Sequence, residues 1–262
     1  MGESRQSPLN LNSLLAAVEA APPVAAADVL AAALAEAIDA REVSFLIADF
    51  SGQSLIRLGH AGGKGRSQGI ETAERVPLAG TPHGRALAAQ AVEVIAEDDG
   101  ARLFAPVTSR GEAVGVLELG LEDFPVEQTV ADVALAAHFL AYVVIANRRY
   151  TDLFEWGQRS VPLSLAAEIQ HRLLPGAFTC EAGQFTLAAW LQPAGEIGGD
   201  TFDFSLERDT MHLSMTDAMG HTMDAALLAT VLVGGLRNAR RRGVELAEQA
   251  RLANDALADQ AG

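Results

Sequence analysis

The sequence predicts a two-domain α+β protein in which each domain packs helices against a sheet. Its 262 residues are enough for one large domain or two modest ones, and 49% of them are hydrophobic, enough for packed cores. Helical and strand patterns alternate along the chain on both sides of a segment that contains Gly157 and Pro162. We therefore divide the chain into an N-terminal tail, a first domain, a connector and a second domain, at residues 1–9, 10–150, 151–164 and 165–262.

The composition narrows the class of protein. The net charge is −15 and both halves are acidic, so we expect no nucleic-acid partner. Cys180 is the only cysteine, which excludes an intrachain disulfide and a cysteine zinc cluster and fits a reducing compartment. The apolar stretch from Ala225 to Leu236 is too short to span a bilayer, and the N-terminus has no secretory pattern. We expect a cytoplasmic protein without a membrane span.

The first domain begins with two helices in residues 9–40, separated by a double proline. Thr81 and Pro82 predict the start of a helix that runs to about residue 90, because Thr caps a helix and Pro fits its first turn. A long apolar stripe predicts a further helix over 126–150. Strands are predicted from β-prone runs at 43–49, 55–58, 92–96, 101–107 and 113–119, the last two joined by a turn at 109–112.

Three segments of this half, Thr81–Leu87, Phe104–Val107 and Val114–Leu119, resemble the corresponding parts of GAF sensor domains. The resemblance covers roughly residues 10–150. It implies an antiparallel sheet with flanking helices, and a sensory role with a small-molecule ligand in this domain. The apolar stripe of the helix at 126–150 either packs on its own sheet or forms a dimer seam, so a homodimer is one expectation.

Two glycine-flanked acids stand out in the second half. Asp200 ends the run Glu-Ile-Gly-Gly-Asp, and Asp217 follows a predicted strand and precedes Ala218-Met-Gly-His. Each lies where a strand starts or ends, so we expect the two carboxylates to converge. Mg²⁺ and Mn²⁺ prefer such oxygen ligands. Helices are predicted at 165–175, with Ser164 as the candidate N-cap, and at 223–242 and 244–259. Strands are predicted at 184–191, 201–206 and 210–216.

Four segments in order, at 165–175, 196–203, 217–221 and 225–236, resemble the metal-dependent protein phosphatases of the 2C (PPM) superfamily, in its SpoIIE-like branch. The resemblance implies an αββα sandwich and two Mg²⁺ or Mn²⁺ ions. It also implies a phosphoserine or phosphothreonine protein substrate, of the anti-sigma-factor antagonist type. By the same resemblance Asp200, Asp217 and the backbone carbonyl of Ala218 are metal ligands. That family takes further aspartate ligands from later in its domain, so we expect this sequence to hold a partial sandwich.

Several residues keep two interpretations. Asp203 is either a residue that orients a metal ligand or an ordinary strand-surface acid. His221 is either an acid–base group or a histidine at a helix entry. The arginines at 237 and 240–242 either bind phosphate or complement the dipole at a helix C-terminus. For the whole chain, a sensor-regulated phosphatase competes with a non-catalytic signalling or dimerisation module that carries a degenerate half phosphatase domain.

Overall fold

The computed structural model describes residues 9–60, 74–159, 162–191, 199–220 and 223–261. The chain separates into two compact units, residues 1–160 and 161–262. The Gly-rich loop near residue 65 and the residues Glu196, Gly198, His221 and Thr222 lie outside the described part.

The first unit is built on a six-stranded antiparallel sheet whose strand order is β3-β2-β1-β6-β5-β4. The strands are β1 Glu42–Ala48, β2 Ser54–His60, β3 Arg75–Pro77, β4 Glu93–Glu97, β5 Gly100–Ser109 and β6 Glu112–Leu121. The helices in its described residues are α1 Leu11–Ala20, α2 Ala26–Ile38, α3 Pro82–Ala89, α4 Glu127–Asn147 and α5 Leu153–Gln158. The predicted antiparallel sheet with flanking helices is confirmed.

The two faces of this sheet are covered differently. On one face α2 and α4 bury the larger core, in which Leu34, Leu117 and Leu140 have no exposed surface. The other face carries a smaller apolar core under α3, formed around Leu46 and Phe104. Alternating side chains along each strand supply the two faces, as the pleat requires.

Helix α4 packs on its own sheet along most of the predicted stripe. Val133, Ala137, Leu140, Ala141 and Val144 are buried there. By length and composition α4 is also apolar enough to cross a membrane, which was not predicted from the sequence. Half of its apolar window is buried inside the unit, so packing on the sheet accounts for its apolar character.

The hairpin turn between β5 and β6 has the left-handed backbone of a tight two-residue loop. The predicted turn between β5 and β6 is a two-residue loop in which Arg110 and Gly111 both have positive φ, at 51° and 79°.

The segment predicted as a connector contains α5, whose Phe154 is 1% exposed and joins the main core. The Phe50 amide also donates to the Gln158 carbonyl at 2.8 Å, so α5 belongs to the first unit.

The second unit is a mixed α+β body. Its helices are α6 Leu165–Leu173, α7 Met223–Arg241 and α8 Leu246–Ala261, and its strands are β7 Thr179–Glu181, β8 Thr186–Ala188, β9 Asp200–Leu206 and β10 Met211–Asp217. Within the described residues, β7 pairs with β8 and β9 pairs with β10, both antiparallel. The strand predicted at 184–191 is reduced to β8, and β7 was not predicted.

Candidate metal site

The β9–β10 hairpin brings the two predicted acids together. Its register runs from Met211 opposite Leu206 to Asp217 opposite Asp200, which is the last cross-strand pair. Residues directly opposite each other in an antiparallel pair place their side chains on the same face, about 5 Å apart at Cβ. The expected convergence of Asp200 and Asp217 is therefore present.

The electrostatics of the pair favour a bound cation. Partial desolvation and the nearby charge of Asp217 raise the pKa of Asp200 above its usual value near 3.8. Both residues are exposed, so solvent screens much of this repulsion. A proton or a cation between the carboxylates relieves the remainder, and solvent has free access to the pair. The donor set therefore fits Mg²⁺ or Mn²⁺.

Gly199 makes the close approach of the two loops possible. The Ala218 amide donates to the Gly199 carbonyl at 3.1 Å. A Cβ atom at residue 199 would overlap the Ala218 carbonyl oxygen and lie 3.0 Å from the Gly220 carbonyl oxygen. The Ala218 carbonyl is thus directed at residue 199, beside Asp200. The role of the Ala218 carbonyl as a third oxygen ligand stays a prediction.

A buried glutamine on α6 holds the backbone of Asp200. Ser164 caps α6 by accepting a hydrogen bond from the Ala167 amide at 3.2 Å, as the sequence predicted. Gln170 is 2% exposed, and its Nε2 donates to the Asp200 carbonyl oxygen at 2.5 Å. Gln170 was not among the residues predicted from the sequence. A polar side chain on the otherwise buried face of an amphipathic helix is the signal that would have found it.

Asp203 is buried in an ion-pair cluster and is not an ordinary strand-surface acid. It is 5% exposed and binds Arg237 through both carboxylate oxygens, at 2.8 and 3.1 Å, and Arg240 at 2.9 Å. Burial acts to raise the pKa of Asp203, but the hydrogen bonds from the two arginines outweigh it and lower the pKa. Arg237 and Arg240 are therefore engaged inside the unit.

The described residues hold no cluster of three or more histidine, cysteine, aspartate or glutamate side chains suited to a metal ion. Within that part of the chain, the candidate site consists of the carboxylate pair and the neighbouring backbone carbonyl.

The first unit has a separate buried charge cluster, centred on Glu118 in β6. Its carboxylate accepts from Arg102 at 2.8 Å and from Arg57 at 3.0 Å, and it lies 3.0 Å from His83 Nε2. Burial acts to raise the pKa of Glu118, but His83, Arg57 and Arg102 lower it from 4.5 to about 2. His83 also stacks edge-on against Phe104, with ring centroids 4.6 Å apart. The cluster ties α3 to the sheet.

Comparison with known proteins finds similar proteins for each half of the chain. The family model of Stage II sporulation protein E (SpoIIE) matches residues 207–262, which include Asp217 and Ala218. This confirms the SpoIIE resemblance for that segment. No curated protein matches the chain.

Solved structures are similar to the first half of the chain. One is the GAF domain of a phosphoenolpyruvate-protein phosphotransferase from Coxiella burnetii, 18% identical, covering 53% of this chain and 92% of that one, with a TM-score of 0.45. A second is the free methionine-R-sulfoxide reductase from Neisseria meningitidis, 21% identical, covering 54% and 89%, with a TM-score of 0.43. A third is the second GAF domain of DevS from Mycobacterium smegmatis, 18% identical, covering 49% and 99%, with a TM-score of 0.38.

Proposed function

We propose that this chain, a GAF-like unit followed by a SpoIIE-like segment, is a sensor-regulated, metal-dependent serine/threonine protein phosphatase of the cytoplasm, or the N-terminal portion of one. Its proposed substrate is a phosphorylated signalling protein of the anti-sigma-factor antagonist type. The observation that carries the proposal is the meeting of Asp200 and Asp217 in the last pair of the β9–β10 hairpin. The SpoIIE match over residues 207–262 supports it.

The residues of the hairpin suit Mg²⁺ or Mn²⁺. In this proposal Asp200 and Asp217 supply negative oxygen ligands, and the Ala218 carbonyl adds a neutral one. Gly199 leaves room for that carbonyl, and Gln170 restrains the backbone of Asp200. When bound, a pair of divalent ions supplies a water of lowered pKa for attack on a phosphate monoester.

The first unit is proposed to be the regulatory part, with a small-molecule ligand and a homodimer as its expected partners. An open groove of about 550 Å³ lies between the turn after β1 and the loop before α3, lined by residues that include Ser54, Arg75 and Leu78. Its size is within the range of small-ligand pockets. Sedimentation of the full chain tests the dimer, and a ligand that raises Tm in wild type but not in Arg75→Ala supports binding there.

Phosphate release from a phosphoserine protein tests the enzymatic proposal. We expect release that depends on added Mn²⁺ and is lost when Asp200→Ala and Asp217→Ala are combined. Asp209→Ala is the matched control, because Asp209 is an exposed acid at the opposite end of the same hairpin. Activity that survives the double substitution removes the proposed metal mechanism.

Calorimetric titration with Mn²⁺ separates the phosphatase from the non-catalytic alternative. The phosphatase proposal expects wild type and Asp209→Ala to bind Mn²⁺, and the Asp200→Asn, Asp217→Asn protein to bind it far more weakly. If all three proteins bind Mn²⁺ equally weakly, the second unit is a docking or dimerisation module.

A further inference from the structure

Arg237, on helix α7, connects the strand that carries Asp200 to helix α6. Its guanidinium binds both carboxylate oxygens of Asp203, and its Nη2 also donates to the Leu173 carbonyl at 2.6 Å. Asp203 belongs to β9, Leu173 is the last residue of α6, and Arg237 itself belongs to α7. One side chain thus links β9, α6 and α7.

This contact lies on the opposite face of β9 from the carboxylate pair. Residues an odd number of positions apart in a strand face opposite ways, so Asp203 points into the unit while Asp200 points toward Asp217. The Asp203 side chain is 5% exposed, whereas that of Arg237 is 24% exposed. The ion pair is therefore mostly buried, and its geometry is bidentate.

Together with Gln170, the contact closes a ring of hydrogen bonds. Gln170 connects α6 to the Asp200 carbonyl, and Arg237 connects the end of α6 back to Asp203, three residues along the same strand. The ring fixes β9 against α6 at two points. A strand held at two points has little freedom to rotate Asp200 away from Asp217.

We propose that Arg237 is a positioning residue for the carboxylate pair, holding β9 through Asp203 so that Asp200 stays opposite Asp217. The inference rests on the proposed metal site for its functional meaning. The residue acts through Asp203 and is not itself a metal ligand.

The first readout is Mn²⁺ affinity of the full chain, measured by calorimetry well below Tm. Arg237→Gln removes a positive charge, and by charge alone it should make the protein bind a cation more tightly. Positioning predicts the opposite sign, with the Mn²⁺ Kd rising about tenfold, equivalent to about 1.4 kcal/mol. Arg237→Lys keeps the charge but loses the planar fork, so an intermediate Kd is expected.

Arg241→Gln is the matched control. Arg241 is exposed at the end of the same helix, and its replacement makes the same charge change. We expect its Kd to stay equal to that of wild type or to fall slightly. If Arg237→Gln lowers only Tm, and its Kd follows that of Arg241→Gln, Arg237 is a structural residue and the proposal fails.

The second readout needs no metal. In a Cys180→Ser background, Asp200→Cys and Asp217→Cys place two thiols at the paired positions, and oxidised glutathione converts them to a disulfide with release of two reduced glutathione molecules. The equilibrium gives the effective concentration of one thiol near the other. We expect Arg237→Gln to lower it about tenfold, while Arg241→Gln leaves it unchanged.

The two readouts separate the positioning proposal from the proposed function. If wild type binds no Mn²⁺, the metal site is refuted. If Arg237→Gln still lowers the effective concentration of the two thiols, positioning is supported independently of the metal. An unchanged effective concentration overturns positioning, whatever the Mn²⁺ result.

Discussion

Asp200 and Asp217 form the last cross-strand pair of the β9–β10 hairpin, and both residues are exposed to solvent. An exposed pair of like-charged groups at the end of a strand pair does not stabilise a fold. This relationship has a measurable consequence for stability.

Asp217→Asn should raise the Tm of the metal-free protein at pH 7. The raised pKa of Asp200 means that the folded state binds its proton more tightly than the unfolded chain does. The associated stability is therefore present below pH 3.8 and is lost as pH rises through the folded pKa. Thermal unfolding in a chelator at pH 7 and pH 3 should show the gain only at pH 7. Asp209→Asn serves as control, and a lower Tm for Asp217→Asn at pH 7 contradicts the interpretation.

Glu118→Gln should destabilise the first unit in a pH-dependent way. The pKa of Glu118 is lowered from 4.5 to about 2, so its stabilisation is complete above pH 4.5 and is lost as pH falls from there toward 2. At 1.36 kcal/mol per pKa unit, this corresponds to about 3 kcal/mol at pH 7. Urea unfolding followed by Trp156 fluorescence in a Trp190→Phe background reports on this unit alone.

The control for that experiment is Glu93→Gln. Glu93 pairs with Arg85 at 2.7 Å, but the Arg85 side chain is 52% exposed. Exposed ion pairs contribute about 0–1 kcal/mol, so we expect a small change. A difference between wild type and Glu118→Gln that stays constant from pH 7 to pH 2.5 would rule out the proposed linkage.

Gly199→Ala should disrupt the candidate site, whereas Gly234→Ala should not. The new methyl group at residue 199 meets backbone oxygens of Ala218 and Gly220, which cannot move without opening the hairpin end. Gly234 lies inside α7 with nothing within 4 Å of a Cβ, so alanine there should stabilise the helix by about 1 kcal/mol. Tm and Mn²⁺ titration of both variants check this. Equal Tm values for the two variants would contradict it.

Gln170→Ala should weaken both stability and Mn²⁺ binding. It leaves the Asp200 carbonyl without its buried donor, at a cost of about 1–3 kcal/mol. Gln249→Ala is the matched control, because Gln249 is also buried and donates to a backbone carbonyl, that of Val244, at 2.9 Å. We expect both variants to lose stability and only Gln170→Ala to lose Mn²⁺ affinity. Equal affinities would show that the α6 contact is structural alone.

Local patterns predicted the elements that carry the site. Strands were predicted at 201–206 and 210–216. Strand β9 starts one residue earlier than predicted and β10 is shifted by one residue toward the C-terminus, a close agreement that arises because alternation and a polar turn are local signals. The Ser164 cap was found for the same reason. The strands β3 and β7 were not predicted, since three residues are too few to show a period and form strands only by pairing with a neighbour.

The amino-acid sequence by itself determined that Asp200 lies at the start of one strand and Asp217 at the end of the next, because glycines and apolar alternation act over a few residues. Only the tertiary structure decided what holds them there. Gln170 reaches Asp200 across 30 positions, and Arg237 reaches Asp203 across 34. Contacts over such separations depend on how helices pack on strands, and no local periodicity encodes which arginine meets which aspartate.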